Sequence, residues 1–111
     1  SITSPSLAEY LTLECEIKQH IILREHEPVD GIMGKFVMHE RETDIVFSKG
    51  GYFDGWTIDV EFSTPDYLKA TGESNQTFIY RSGHFHFSFI SYMHVTSMSG
   101  ECRHVPRVIE G

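Results

Sequence analysis

The chain has 111 residues, of which 40% are hydrophobic and 23% charged, and its formal net charge is −7. This length allows one domain, residues 1–111, and the apolar content excludes an intrinsically disordered chain. The negative charge argues against tight, static binding of nucleic acid, because such binders neutralise phosphates with basic side chains.

The first predicted element is a half-buried strand that starts at Tyr10. Its apolar side chains alternate with polar ones and share one face: Leu11, Leu13, Cys15 and Ile17. Helix-forming residues follow over Glu16–His26, with apolar side chains four residues apart. We predict a short helix there, with one continuous strand as the alternative.

The middle of the chain predicts a hairpin, a loop, a strand and a second short helix. The hairpin consists of strands at 35–39 and 43–48, joined by a charged turn. The glycine-containing segment 49–55 is either a binding loop or a simple connector. An alternating strand covers 56–62, and Thr64-Pro65-Asp66 then predicts the start of a helix that ends near residue 72.

The most distinctive segment, Gly83–Thr96, follows a predicted strand at 76–81. Its alternation predicts one long strand with an apolar face and a face that carries His84, His86 and His94. His84 and His86 would lie about 6.5–7 Å apart and are weak candidates for holding a metal, whereas His94 would lie about 33 Å away. The three imidazoles therefore predict a metal site, an acid–base site or only the solvated side of a sheet.

These elements together predict an α+β fold, with one or two short helices packed on an antiparallel sheet of about six strands. The two cysteines, Cys15 and Cys102, lie near opposite ends of the chain. A disulfide bond between them is plausible because domain termini often lie close together, and it would indicate an oxidising compartment. Two unrelated buried thiols are the alternative.

The titratable residues of the predicted polar faces occur in the order His39, Glu61, Arg81 and His94. A carboxylate base, an arginine and a histidine acid are the groups that phosphodiester transesterification requires. By this order and spacing, the chain resembles the microbial guanyl-specific ribonucleases and the ribonuclease-like secreted effectors of plant-pathogenic fungi.

The resemblance implies a ribonuclease-like fold and a role for each matched residue. Glu61 would be the base, Arg81 would stabilise the phosphorane, His94 would be the acid and His39 would match the first histidine of the family. Tyr52 and Phe53 would bind the substrate base. A C-terminal cysteine that bridges back to the start, here Cys102 with Cys15, is also part of the family pattern.

The sequence thus predicts a secreted effector or interaction domain that binds a host protein or RNA, with no cofactor and no membrane partner. An active endoribonuclease that cleaves single-stranded RNA is the first alternative. An acidic, immunity-type inhibitor of a basic toxin is the second, since acidity favours basic partners. A metal-binding β-barrel is a further alternative.

Overall fold

The computed structural model of the protein describes residues 10–73 and 75–106. Within these residues the chain forms nine β-strands: β1 (Thr12–Arg24), β2 (Glu27–Val29), β3 (Gly34–Glu40), β4 (Asp44–Phe47), β5 (Thr57–Thr64), β6 (Tyr67–Thr71), β7 (Thr77–Arg81), β8 (His84–Ile90) and β9 (His94–His104). Every pairing is antiparallel, and β1 also pairs with β9. All strands except β2 therefore form a closed eight-stranded barrel, and β2 extends the end of β1.

The barrel interior is filled by the alternate side chains of its strands. Six phenylalanines lie inside and are almost completely buried: Phe36, Phe47, Phe53, Phe78, Phe85 and Phe87. Their rings contact one another, with centroids 5.0 Å apart for Phe36 and Phe85 and 5.7 Å apart for Phe78 and Phe85. An eight-stranded barrel has room inside either for side chains or for one small ligand, and here the side chains occupy it.

One end of the barrel is closed by the loop between β4 and β5, residues 48–56. Phe53 at its centre is fully buried and stacks on Phe47, with ring centroids 4.3 Å apart. The segments 25–33, 48–56 and 91–93 lie at this end, which is termed the upper end.

A β-bulge between Ile17 and Gln19 changes which residues of β1 face inward. Before the bulge Cys15 and Ile17 point inside, and after it Ile22 does so. Gly100 lies opposite Ile17, and a Cβ on it would collide with the backbone carbonyl of Glu16. Glycine therefore allows β1 and β9 to approach closely where the bulge begins.

The predicted helix at Glu16–His26 is wrong, because residues up to Arg24 continue β1. Apolar residues four apart share one face of a strand as well as of a helix, since four is a multiple of the two-residue period. The β-branched pair Ile21 and Ile22 favours the strand. One continuous strand, the alternative stated for this segment, is what the structure contains over Thr12–Arg24.

The second predicted helix is also wrong. Pro65 and Asp66 form the turn between β5 and β6, and Thr64 lies opposite Tyr67. Proline suits the second position of a tight turn as well as the first position of a helix. The described residues contain no helix, so the predicted α+β, ribonuclease-like fold with a six-stranded sheet is wrong, and the protein is an all-β barrel.

The predicted single strand over Gly83–Thr96 is two strands. Residues 91–93 form a turn that the Ser91 amide closes by donating to the carbonyl of His94, at 2.8 Å. The segment Ser91-Tyr92-Met93 contains no glycine, proline or asparagine, which often mark a turn. The alternation of apolar and polar residues continues through it, so the sequence alone did not indicate the turn. The alternation within β8 is confirmed, since Phe85 and Phe87 are buried while His84 and His86 are exposed.

The disulfide between Cys15 and Cys102 is present, which confirms that prediction. The two residues lie directly opposite each other on β1 and β9, with Cα atoms 4.0 Å apart. The bond thus joins the two strands whose pairing closes the barrel. Among the described residues there is no helix long and apolar enough to cross a membrane.

Candidate functional site

The structure does not bring the predicted catalytic residues together. Glu61 lies at a bulge of β5, where it forms an ion pair with Lys69 (Oε2 to Nζ, 3.3 Å). Arg81 ends β7 at the lower end of the barrel, whereas His94 begins β9 at the upper end. Seven residues of strand separate His94 from Glu101, which belongs to the register row of Arg81, and they span about 23 Å.

The remaining residues of the ribonuclease resemblance are also dispersed. His39 lies on β3 beside Thr12, with 3.4 Å between its Nδ1 and the threonine hydroxyl. Phe53 is fully buried in the barrel, and Tyr52 is half-buried with its ring 5.6 Å from that of Trp56. These two rings are part of the packing at the upper end and do not present open faces to a nucleobase.

His84 and His86 lie side by side on the outer face of β8. Their cross-strand neighbours on β9 are Glu101 and Ser99, respectively. Together with Lys18 and nearby residues they line a shallow depression of about 360 Å³. In residues 10–73 and 75–106, no group of three or more histidine, cysteine, aspartate or glutamate side chains is arranged to hold a metal ion.

A polar network at the upper end connects His20, Thr96 and Tyr52. His20 Nδ1 lies 2.8 Å from the amide nitrogen and 2.9 Å from the carbonyl oxygen of Ile32, and His20 Nε2 forms a hydrogen bond of 2.8 Å with Thr96 Oγ1. A Cβ on Gly31 would lie 2.6 Å from the Cβ of His20, so the loop before β3 packs closely on this imidazole. Since Thr96 is fully buried, the network holds that loop to the barrel and offers no accessible nucleophile.

Burial raises the pKa of Tyr52 above its ordinary value of 10.0, and a hydrogen bond with Thr96 opposes the shift. The folded state thus favours the neutral form of Tyr52. The stability that results is fully present below about pH 10 and is lost as the pH rises through the folded-state pKa. Tyr52→Phe removes this ionisation. We therefore expect its free energy of unfolding, measured by denaturant titration, to fall less between about pH 9 and pH 11 than that of the wild type.

The control for this measurement is Tyr92→Phe, because Tyr92 is 92% exposed. It should follow the wild-type pH dependence. An identical decline in Tyr52→Phe and the wild type would contradict the assignment of alkaline destabilisation to Tyr52.

An apolar surface lies on the outside of the upper end. The outward faces of neighbouring strands form it, termed the upper apolar face: Ile21, Leu23, Pro28, Ile90 and Val95. They come from β1, β2, β8 and β9, and the β8–β9 turn with the exposed Tyr92 and Met93 adjoins them. Soluble monomers rarely expose contiguous apolar patches larger than a few hundred Å², and such patches mark binding surfaces.

The register of the sheet makes the centre of this face continuous. Leu23 of β1 lies opposite Pro28 of β2 on one side and opposite Val95 of β9 on the other. Val95 in turn lies opposite Ile90 of β8. Directly opposite side chains on one face of a sheet are in contact range. Pro28, Leu23, Val95 and Ile90 thus form an unbroken apolar row across four neighbouring strands.

Carboxylates border the upper apolar face. Segment 24–30 contains Glu25, Glu27 and Asp30, all exposed, against one arginine and one histidine. None of the three carboxylates forms an ion pair with another described residue. The Glu25 amide donates to the carbonyl of Met93 at 2.8 Å, which fixes this acidic segment against the β8–β9 turn.

Sequence reasoning missed the upper apolar face because its residues come from separate segments. The bulge in β1 turns Ile21 outward, although it is four residues from the inward-facing Ile17. The unrecognised turn at 91–93 placed Met93 on the predicted core side of a strand. Comparison of the chain with protein-family models, with curated proteins and with solved structures finds no match. The resemblance to ribonucleases stays a prediction.

Proposed function

We propose that the protein is a secreted recognition domain whose upper apolar face binds a basic protein partner. The observation that carries this proposal is the unbroken row of Pro28, Leu23, Val95 and Ile90 on the outside of the barrel. Exposed apolar rows that cross several strands favour aggregation, so a bound partner is a physical reason to retain one.

Charge favours a basic partner over RNA or a second copy of the chain. The net charge is −7, and the unpaired carboxylates of segment 24–30 border the face. Two such surfaces repel each other and both repel phosphates, whereas a cationic surface is attracted and oriented. The filled interior of the barrel also supports recognition on the outside rather than transport of a ligand inside.

The disulfide supports the secreted location. A bond between Cys15 and Cys102 forms and persists in oxidising compartments and is rare in the cytosol. The bond links β1 and β9, whose pairing closes the barrel and which both carry residues of the upper apolar face. A disulfide that persists outside the cell would therefore keep this surface folded there.

The proposal is tested with a defined probe, an amphipathic peptide composed of leucine and lysine, by isothermal titration calorimetry. We expect a dissociation constant of about 10 μM, and binding at least about tenfold weaker for a leucine–glutamate peptide and for a lysine-only peptide. Ile90→Ser removes an apolar side chain from the centre of the row and should weaken binding of the leucine–lysine peptide about tenfold.

The matched control is Phe62→Ser. Phe62 is 55% exposed, close to the 57% of Ile90, but it lies on β5 beside Tyr67. Equal effects of the two variants, or equal binding of the leucine–glutamate peptide, would contradict the proposal. A concentration-dependent dimer in sedimentation that Ile90→Ser dissociates would assign the face to a second copy instead.

A further inference from the structure

A second surface feature is a cleft of about 570 Å³ on the opposite part of the rim, between β5 and the β6–β7 loop. It lies outside the upper apolar face and is lined mainly by Trp56, Thr57, Asp59, Thr71, Glu73 and Gln76. Its volume is within the range of small-molecule sites in proteins, about 300–1,000 Å³.

The cleft exists because β6 ends before β5 does. Asp59 lies opposite Thr71, the last residue of β6, so Thr57 has no partner on that side within the described ladder. The Phe47 amide donates to the carbonyl of Trp56 (2.8 Å), which directs the backbone of Trp56 towards β4. In an antiparallel sheet the next residue directs its N–H and C=O the other way. Thr57 therefore directs its backbone N–H and C=O towards the cleft, where no described residue bonds to them.

Gly72 shapes the opposite wall. Its amide donates to the carbonyl of Gln76 at 3.0 Å, which turns the chain away from β5. A Cβ at this position would collide with the side-chain oxygen of Gln76 and lie 2.9 Å from Ile58 Cγ2. A side chain at position 72 would therefore displace Gln76 or Ile58, which both line the cleft.

Trp56 forms the aromatic wall. Its ring packs against Phe53 and Phe87, with centroids 5.4 and 6.0 Å away, and it remains half-buried. The indole N–H has no hydrogen-bond partner among the described residues, and none of their buried side-chain polar atoms is unsatisfied. The N–H is therefore accessible to solvent, and Trp56 is one of the residues that line the cleft.

The charges in the cleft are all negative. Asp59 and Glu73 line it, both are exposed, and neither forms an ion pair with another described residue. The neighbouring Glu61, by contrast, is paired with Lys69. None of the described residues that line the cleft is a lysine or an arginine, so a cation that enters it meets two carboxylates and a tryptophan among them.

We propose that this cleft binds a small organic cation of the amine or guanidinium class, either as a free molecule or as a side chain of a peptide. An indole attracts a cation placed against it, the carboxylates accept charge-assisted hydrogen bonds, and the free backbone carbonyl of Thr57 accepts another. The site shares no residue with the upper apolar face, so it stands or fails independently of the proposed partner surface.

The test uses Trp56 as the reporter, since it is the only tryptophan of the chain. N-butylguanidinium is titrated against the wild-type protein and the tryptophan emission is recorded, with N-butylurea as the neutral analogue of the same shape. We expect a saturable change with a dissociation constant of about 1 mM for the guanidinium and none for the urea. An arginine tripeptide compared with its glutamine analogue distinguishes a peptide side chain from a free cation.

Two variants examine the origin of the binding. Asp59→Asn should weaken it about fivefold, whereas Glu61→Gln, two residues further along β5 and already paired with Lys69, should leave it unchanged. Gly72→Ala should weaken it without any change in charge, and thermal unfolding shows whether that variant is folded. Equal responses to urea and guanidinium, no saturable response, or equal effects of Asp59→Asn and Glu61→Gln would overturn the proposal.

Discussion

Removing the disulfide with the double substitution Cys15→Ala and Cys102→Ala is expected to lower the free energy of unfolding by about 4–5 kcal/mol. The cross-link spans 87 positions of sequence, so it excludes most of the extended conformations of the unfolded chain. For a domain of this size the loss corresponds to a decrease in melting temperature of about 15–25 °C. Alanine is preferred to serine because Cys15 is fully buried, and a hydroxyl there would lack a partner.

The location of the bond adds a structural expectation. β1 and β9 are the only pair of barrel strands far apart in sequence, and their pairing closes the barrel. Amide hydrogen exchange in the double variant should therefore increase most along β1 and β9 and least in the β6–β7 hairpin. Reduction of the wild-type protein serves as the second measurement. A stability loss below about 1 kcal/mol in both experiments would show that strand pairing alone holds the closure.

The faces of the strands could be predicted because a barrel gives each strand one inner and one outer side. The alternation of Cys15 with Glu16 and of Phe85 with His86 identified buried and exposed positions correctly. Closure of the barrel could not be predicted. It depends on eleven cross-strand pairs between β1 and β9, and neither strand carries a local signal for a partner so distant in sequence.

The bulge in β1 shows why the candidate site was less predictable than the fold. The bulge adds one extra residue to β1 near Lys18, and every later side chain of the strand therefore lies on the face opposite to the one that simple alternation predicts. As a result Ile21 and Leu23 point to solvent. A one-residue change of register leaves the hydrophobic pattern of the segment almost unaltered while moving side chains from the core to the surface. The four predicted catalytic residues were ordered along the sequence, but the barrel distributes them over both of its ends.

Phe53, at the centre of the loop between β4 and β5, is part of the hydrophobic core. Phe53→Ala is expected to lower the free energy of unfolding by about 3–5 kcal/mol, measured by denaturant titration with the disulfide intact. Phe53 is fully buried, and its ring lies 4.8 Å from Phe36 and 4.9 Å from Phe87 in edge-to-face contacts. The substitution removes these contacts and leaves an apolar cavity beneath the upper end.

Two comparisons separate loss of core packing from a general effect of mutation. Tyr92→Ala, at a side chain that is 92% exposed in another loop of the same end, should change stability by less than about 0.5 kcal/mol. Benzene, which enters dry apolar cavities, should restore part of the stability of Phe53→Ala and none of that lost in the cysteine variant. A loss below about 1 kcal/mol for Phe53→Ala would show that the loop covers the barrel without contributing to its core.

Phe53 also contacts Trp56, with ring centroids 5.4 Å apart. The fluorescence emission of Trp56 should therefore change in Phe53→Ala. Such a change would show that the packing of the core affects the tryptophan that lines the cleft.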